Sequence, residues 1–230
     1  MSVRRVVVLV AWVALAALVA LHAWYATMIW WWRDHPPRET AFMSERLAAL
    51  RIRNPHATIE YRFVPYTRIS VELRRAMIAA EDAKFVEHEG FDWDGIALAL
   101  EKNERRGRIV AGGSTISQQL AKNLFLSGSR TWLRKGEEAV ITVMLESILD
   151  KRRIFELYLN VIEFGNGIFG AEAASEHYFH VPASRIDAVE AARLAAMAPN
   201  PRYYERHPNA PGLRRKIGII LARMPAADLP

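Results

Sequence analysis

Cysteine is absent from the 230 residues, so no disulfide and no thiolate metal site is available to this chain. No glycine–lysine spacing of the phosphate-loop type occurs, which removes the common nucleotide-binding loop. Internal repeats and low-complexity tracts are missing too, so the chain is neither a solenoid nor a linker array. Strand signals are sparse, the stretch from Thr58 to Val64 being the best of them. One absence is local. From Val6 to Trp32 there is no Lys, Arg, Asp or Glu. A membrane-spanning helix needs about 20 mostly apolar residues, so this run suffices with some tilt.

Trp24, Tyr25, Trp30, Trp31 and Trp32 crowd the end of that run, where amphipathic rings favour the headgroup layer. A cleaved signal peptide is the alternative, but its apolar core is shorter and its end carries small residues. An uncleaved anchor over 6–32 is the expectation, with residues 1–5 short of it on the cytoplasmic side. Arg4 and Arg5 precede the span while Arg33 and Arg38 follow it, so charge barely chooses an orientation. Pro36 and Pro37 mark a break, residues 33–45 read as a linker, and 46–230 read as one mainly helical domain.

What is present suits that assignment. Hydrophobic residues make up 51% of the chain, enough for a core, and a formal net charge of +6 favours an anionic partner. Ser70 is placed to cap a helix with Leu73, Met77 and Ile78 inward, ending near Ala83. Further helices are expected over Arg134 to Leu149 and over Lys151 to Phe164. On the latter, Glu156, Asn160 and Glu163 fall on one polar stripe. Asp187 and Glu190 form a capping box opening a helix that stops before Pro199.

Four segments carry residue types that neither core nor solvated surface requires. Glu81 closes an apolar helix and begins Glu81-Asp82-Ala83-Lys84-Phe85-Val86-Glu87-His88-Glu89-Gly90. A carboxylate held against an apolar wall has a raised pKa and can act as a general base, although a solvated acidic helix end reads the same way. The second segment, Gly112 to Asn123, combines close-approach glycines with Ser114, Thr115, Gln118, Gln119, Lys122 and Asn123, donors suited to phosphate or sugar hydroxyls; a polar loop capping a helix at Ser114 is the alternative. The third, Arg130 to Glu138, sets Arg130, Arg134 and Lys135 beside Trp132 and Leu133, following Leu124, Phe125 and Leu126. That mixture suits a membrane surface or a diphosphate, and Arg134 with Glu138 equally suits a helical ion pair. Lys151-Arg152-Arg153 leads into Glu156, Asn160 and three glycines, Gly165, Gly167 and Gly170, whose expected role is turning and close packing.

In order, the segments Glu81-Asp82…Phe85…His88…Gly90, Gly113-Ser114-Thr115-Ile116…Gln118-Gln119…Lys122-Asn123, Arg134-Lys135…Glu138 and Lys151-Arg152-Arg153-Ile154…Glu156…Tyr158-Leu159-Asn160 resemble the glycosyltransferase family that builds peptidoglycan. The resemblance runs from about Ile69 to Pro201. Bifunctional members add a transpeptidase with Ser-x-x-Lys and Lys-Thr-Gly motifs. Neither occurs here, so the monofunctional, biosynthetic branch is the nearer likeness.

The resemblance implies a mainly α, lysozyme-like, two-lobed domain on the outer face of a bacterial inner membrane, with a smaller lobe dipping towards lipid. It implies lipid II and a growing glycan strand as substrates, cell-wall synthesis or division proteins as candidate partners, and no nucleic acid. Glu81 is then the base and Glu138 the second catalytic carboxylate, with Mg2+ or another divalent cation held at Glu138. Ser114, Thr115, Gln119, Lys122, Asn123, Arg130, Arg134 and Lys135 are the expected substrate contacts. Leu124 to Leu126 and Trp132 are expected to rest on the bilayer. A glycan hydrolase and a membrane-tethered scaffold or nucleic-acid binder remain as rivals; the first does not account for the basic cluster, and against the second the cations are interleaved with Glu137, Glu138 and Glu156 rather than forming a clean basic stripe.

Overall fold

A computed structural model of the chain describes residues 2–108, 112–126, 128–129 and 131–230. Arg130, a candidate substrate contact, lies outside them. The first element is α1 (Val3–Trp32), followed by α2 (Ala41–Arg51), which starts inside the segment expected to be a linker, and by strand β1 (Glu60–Tyr61). Helices α3 (Val71–Glu81), α4 (Trp93–Arg106), α5 (Ile116–Phe125), α6 (Trp132–Ile148) and α7 (Lys151–Val161) come next. Two short strands, β2 (Glu163–Gly165) and β3 (Ile168–Phe169), precede α8 (Ala171–Phe179), α9 (Ala188–Met197), α10 (Pro201–Arg206) and α11 (Pro211–Arg223). The fold is mainly helical, as its patterning leads one to expect.

Local chemistry explains the ends of these elements. Ser70 accepts from the Leu73 amide and starts α3, whose Leu73, Ala76, Met77 and Ile78 are sealed in the core. Asp187 and Glu190 form the expected capping box of α9. The cap of α5 is Thr115 rather than Ser114, because the matching glutamine of the box, Gln118, stands three residues beyond Thr115. Thr131 caps α6, which begins at Trp132, two residues ahead of the expected start. Helix α7 ends at Val161, not Phe164, since Ile162 adopts an extended backbone and the chain turns into β2. Glu163 therefore leaves the polar stripe of α7 and sits on a strand.

The strands make one small sheet in the order β1-β3-β2, with β1 parallel and β2 antiparallel to β3. Gly170, at φ +83°, closes it: a Cβ there would lie 2.4 Å from the carbonyl oxygen of Asn160. Asn160, fully buried, uses its amide like a strand edge. It accepts from the Val64 amide at 2.9 Å and donates to the Val64 carbonyl at 3.0 Å. Glu156 accepts from the Tyr66 amide one turn earlier. Both side chains brace the chain from 64 to 66 against α7, and neither reaches the large cleft described below.

The core packs α3 against α9 and α11, and α5 against α6 and α7. Helix α4 stands off it, burying only Ala99 while Trp93, Leu98 and Leu100 are exposed. Helix α1 is long and apolar enough to cross a membrane. Its last two turns belong to the domain: Tyr25, Ile29 and Trp32 are buried, and α1 packs on α6. Phe125 supplies the wedge, with ring centroids 4.9, 5.1 and 5.8 Å from Tyr25, Trp32 and Trp24. This corrects the expectation that Leu124 to Leu126 rest on lipid; Leu124 and Leu126 are buried in the protein and Phe125 is spent on the anchor. Trp132 and Leu133, 93% and 85% exposed, remain free for a bilayer.

Truncating a packed aromatic forfeits both transfer energy and edge-to-face contact. Phe125→Ala is expected to lower thermal stability in detergent by about 2 kcal/mol, because the ring is only partly buried. Trp132→Ala is expected to leave the unfolding temperature unchanged; equal shifts from both variants would contradict this division of roles.

Candidate active site

The end of α3 and the start of α5 meet through Asp82. Its buried carboxylate accepts from the backbone amide of Ile116 at 3.0 Å and faces Nε2 of His88 at 3.1 Å from either oxygen. Nδ1 of His88 accepts from the Gly90 amide at 3.1 Å, which leaves Nε2 to carry the proton toward Asp82. The loop closes on itself where the Thr115 hydroxyl donates to the Gly90 carbonyl at 2.7 Å. Gly90 sits at φ +88°, and a Cβ there would press on Thr142 at 2.8 Å. Asp82, His88, Gly90 and Thr115 thus form a brace.

The brace presents Glu81 to a cleft of about 810 Å³. Gln119 of α5 donates its side-chain amide to the Glu81 carboxylate at 2.8 Å, and its own oxygen accepts from the buried Tyr158 hydroxyl at 3.3 Å. Burial pushes the Glu81 carboxyl above the usual carboxylate range; the Gln119 amide and the charges of Lys216 and Lys122 pull it back, and Asp82 adds to the rise. A carboxylate so desolvated holds a proton more tightly than one in water, which is the property a general base for a hydroxyl requires.

The same cleft is lined by a group of cations. Arg134 donates to Glu138 at 2.6 Å and Lys135 pairs with its other oxygen, so the buried Glu138 holds two cations at the wall. Lys135 also reaches the Ser114 hydroxyl at 3.3 Å. Lys122 adds a third cation, its ammonium 5.7 Å from the Phe42 ring centroid. Burial drives Lys122 below its ordinary pKa, opposed by Glu138 and assisted by Arg134. Three cations against one carboxylate leave a surplus of positive charge, suited to an anionic group.

Of the residues singled out from sequence, Glu81, Ser114, Gln119, Lys122, Asn123, Arg134, Lys135 and Glu138 all line this cleft. Thr115 does not; it is buried and serves as cap and brace. Asn123 is largely buried, and its amide donates to the Gln119 carbonyl at 2.8 Å, so it also steadies the helix that carries Gln119. A divalent cation fits poorly. Both oxygens of Glu138 are paired with cations, and no group of three His, Cys, Asp or Glu is assembled among the described residues. We derive no step through a metal.

Sequence reasoning missed the far end of the cleft, where Arg46 of α2 and Arg202 of α10 approach Glu163 at 2.9 and 3.7 Å. Burial pushes Glu163 upward in pKa and Arg46 pulls it down. Nothing in the spacing of positions 46, 163 and 202 betrays this meeting, since three separate elements supply it.

The Glu81 carboxyl predicts a stability effect. Its folded pKa is raised, so its charge is disfavoured in the fold and stability falls as pH climbs from the ordinary glutamate value through the folded one. Glu81→Gln removes that charge and is expected to raise the unfolding temperature at pH 7, on the order of 3 °C for each kcal/mol relieved in a chain this size. At pH 3 the two proteins are expected to melt alike; a variant less stable than wild type at pH 7 would contradict the desolvated carboxylate.

Residues 50–225 match the family described as Transglycosylase. A protein named biosynthetic peptidoglycan transglycosylase from Chromobacterium violaceum is 61% identical over 220 residues, covering 94% of this chain and 96% of its own length. Proteins of the same name from Dechloromonas aromatica and Methylobacillus flagellatus are 62% identical over 203 residues and 61% over 217, covering 88% and 94% of this chain and 87% and 95% of theirs. With a family match over most of the chain and near-full-length relatives at such identity, the chain belongs to the transglycosylase family.

Proposed function

We propose that this transglycosylase polymerises peptidoglycan glycan strands, transferring the growing lipid-linked strand onto the 4-hydroxyl of lipid II. The observation that carries the reading is one cleft lined both by a desolvated carboxylate, Glu81, and by three cations, Lys122, Arg134 and Lys135. Names shared by close relatives of nearly full length support the substrate class.

In the reaction, Glu81 takes the proton of the acceptor 4-hydroxyl as that oxygen bonds to the donor's anomeric carbon. The bond from that carbon to the diphosphate breaks on the opposite face, so an α-linked donor gives a β-linked product. Undecaprenyl diphosphate departs with the bonding electron pair. Its charge is met by Lys122, Arg134 and Lys135, with Arg130 assigned to the same task by resemblance. Glu138 acts by holding Arg134 and Lys135 in place rather than by meeting substrate itself. Ser114, Gln119 and Asn123 lie where sugar hydroxyls pass. A hydrolase expelling a neutral sugar has no need of three cations at its leaving-group wall.

Helix α1 tethers the enzyme to the bilayer that holds its lipid-linked substrate, which raises the effective substrate concentration. We place the chain in the bacterial inner membrane with the domain on the periplasmic side, where lipid II is consumed.

Incubating the detergent-solubilised protein with fluorescent lipid II is expected to yield polymer that lysozyme digests. Glu81→Gln is expected to lower the rate by roughly 10²–10⁴-fold, the usual contribution of a general base; polymer at the wild-type rate would remove Glu81 from that role. Gln119→Leu deletes the donor that favours the ionised carboxylate. The acid limb of kcat/KM against pH is therefore expected to shift upward, and an unmoved or lowered limb would show that Gln119 does not tune Glu81.

A further inference from the structure

A second, smaller pocket of about 300 Å³ opens where α1 leaves its span, and it shares no lining residue with the catalytic cleft. Arg33, the residue directly after α1, forms one side; Thr67 forms another; Arg152 and Arg153 at the start of α7 form the third. We propose that this pocket binds the phosphate of an anionic phospholipid of the surrounding bilayer.

Helix α1 has 30 residues, and at about 1.5 Å per residue it is roughly 45 Å long, the thickness of a bilayer including both headgroup layers. Its end, at Trp32 and Arg33, therefore lies at the headgroup level. Trp30 and Trp31, both about half exposed, are the side chains that favour that level. The pocket begins one residue further on, so the groups that pass its mouth are lipid phosphates.

The charges are arranged for such a visitor. Two acidic residues line the pocket, and both are committed. Asp150 caps α7 by accepting from the Arg153 amide at 2.7 Å. Glu156 accepts from the Tyr66 amide and pairs with Arg153. Arg153 in turn donates to the backbone carbonyls of Trp32 and His35, each at 2.8 Å, fastening α7 to the exit of the anchor. Two guanidinium groups are left over. Arg152 stacks over the Tyr66 ring, 4.9 Å from its centroid, with no acidic partner among the described residues. Among the described residues Arg33 has one acidic neighbour, the exposed Asp34 at 3.2 Å, a solvent-screened pair of little strength, and it lies over the Trp30 ring, 5.6 Å from its centroid. Planar guanidinium groups in one pocket with the Thr67 hydroxyl, which has no side-chain partner among the described residues, match a phosphodiester. The substrate diphosphate is already met by other cations in the separate cleft, so the occupant here is a resident lipid rather than the donor.

This inference rests on α1 crossing the bilayer, and the test keeps the two apart. The full chain is reconstituted in vesicles of phosphatidylcholine with phosphatidylglycerol and washed with alkaline carbonate. It is then released in mild detergent and its retained lipids are counted by native mass spectrometry. The wild type is expected to stay with the vesicles and to retain phosphatidylglycerol in preference to phosphatidylcholine. Arg33→Gln with Arg152→Gln is expected to cut that preference about tenfold, two cations near an anionic surface being lost. Arg33→Lys with Arg152→Lys, folding alike and keeping the charge, is expected to retain most of it. Millimolar inorganic phosphate is expected not to compete. Chain washed off by carbonate would overturn the anchor and the site together. Chain that stays but shows equal retention in wild type and the Gln variant would overturn the site alone, and loss of the lipid to inorganic phosphate would reduce it to a general anion site.

Discussion

Asp82 is a carboxylate taken out of water and given two partners, the His88 ring and the Ile116 amide. An unpaired buried carboxylate costs several kcal/mol, so those partners must be in place whenever the domain is folded. Meeting that demand draws the end of α3 to the beginning of α5, and with it Glu81 to Gln119 and Lys122. The cleft is thus organised by a residue that does not line it. Gly90 and Thr115 complete the closure, one by omitting a side chain and one by spending its hydroxyl on the backbone.

A similar division separates two of the acidic residues of the cleft, Glu81 and Glu138. Glu81 is kept short of favourable partners, which leaves its carboxyl eager for a proton. Glu138 is given two cations and so is quenched. In the proposed mechanism one carboxylate is a reagent and the other mortar, and the difference lies in the neighbours that α5 and α6 supply.

The parts of this design that were legible in the sequence are those carried within a single element. Ser70 and Leu73, or Asp187 and Glu190, stand at separations fixed by the helix, so capping and core faces could be read directly. The order of the four polar segments pointed to the cleft as well. Contacts assembled from distant elements could not be read: Arg46 and Arg202 converge on Glu163 from helices far apart in the chain, and α7 stops short because Ile162 turns extended ahead of a glycine-rich corner. Thr115 reads as a substrate contact because a hydroxyl beside glycines looks the same whether it faces a sugar or a backbone carbonyl. Phe125 reads as lipid-facing for a kindred reason, since an apolar residue in a basic stretch does not disclose whether its neighbour is a bilayer or another helix.

The seating of Phe125 among Trp24, Tyr25 and Trp32 bears on how the enzyme can be divided. Cutting the chain ahead of Pro36 to obtain a soluble catalytic piece would strip the aromatic cover from the seam of α5 and α6. The piece would then carry an adhesive strip of its own, facing water where the anchor had been. What looks in the sequence like a detachable leash is, at its last two turns, part of the wall of the house.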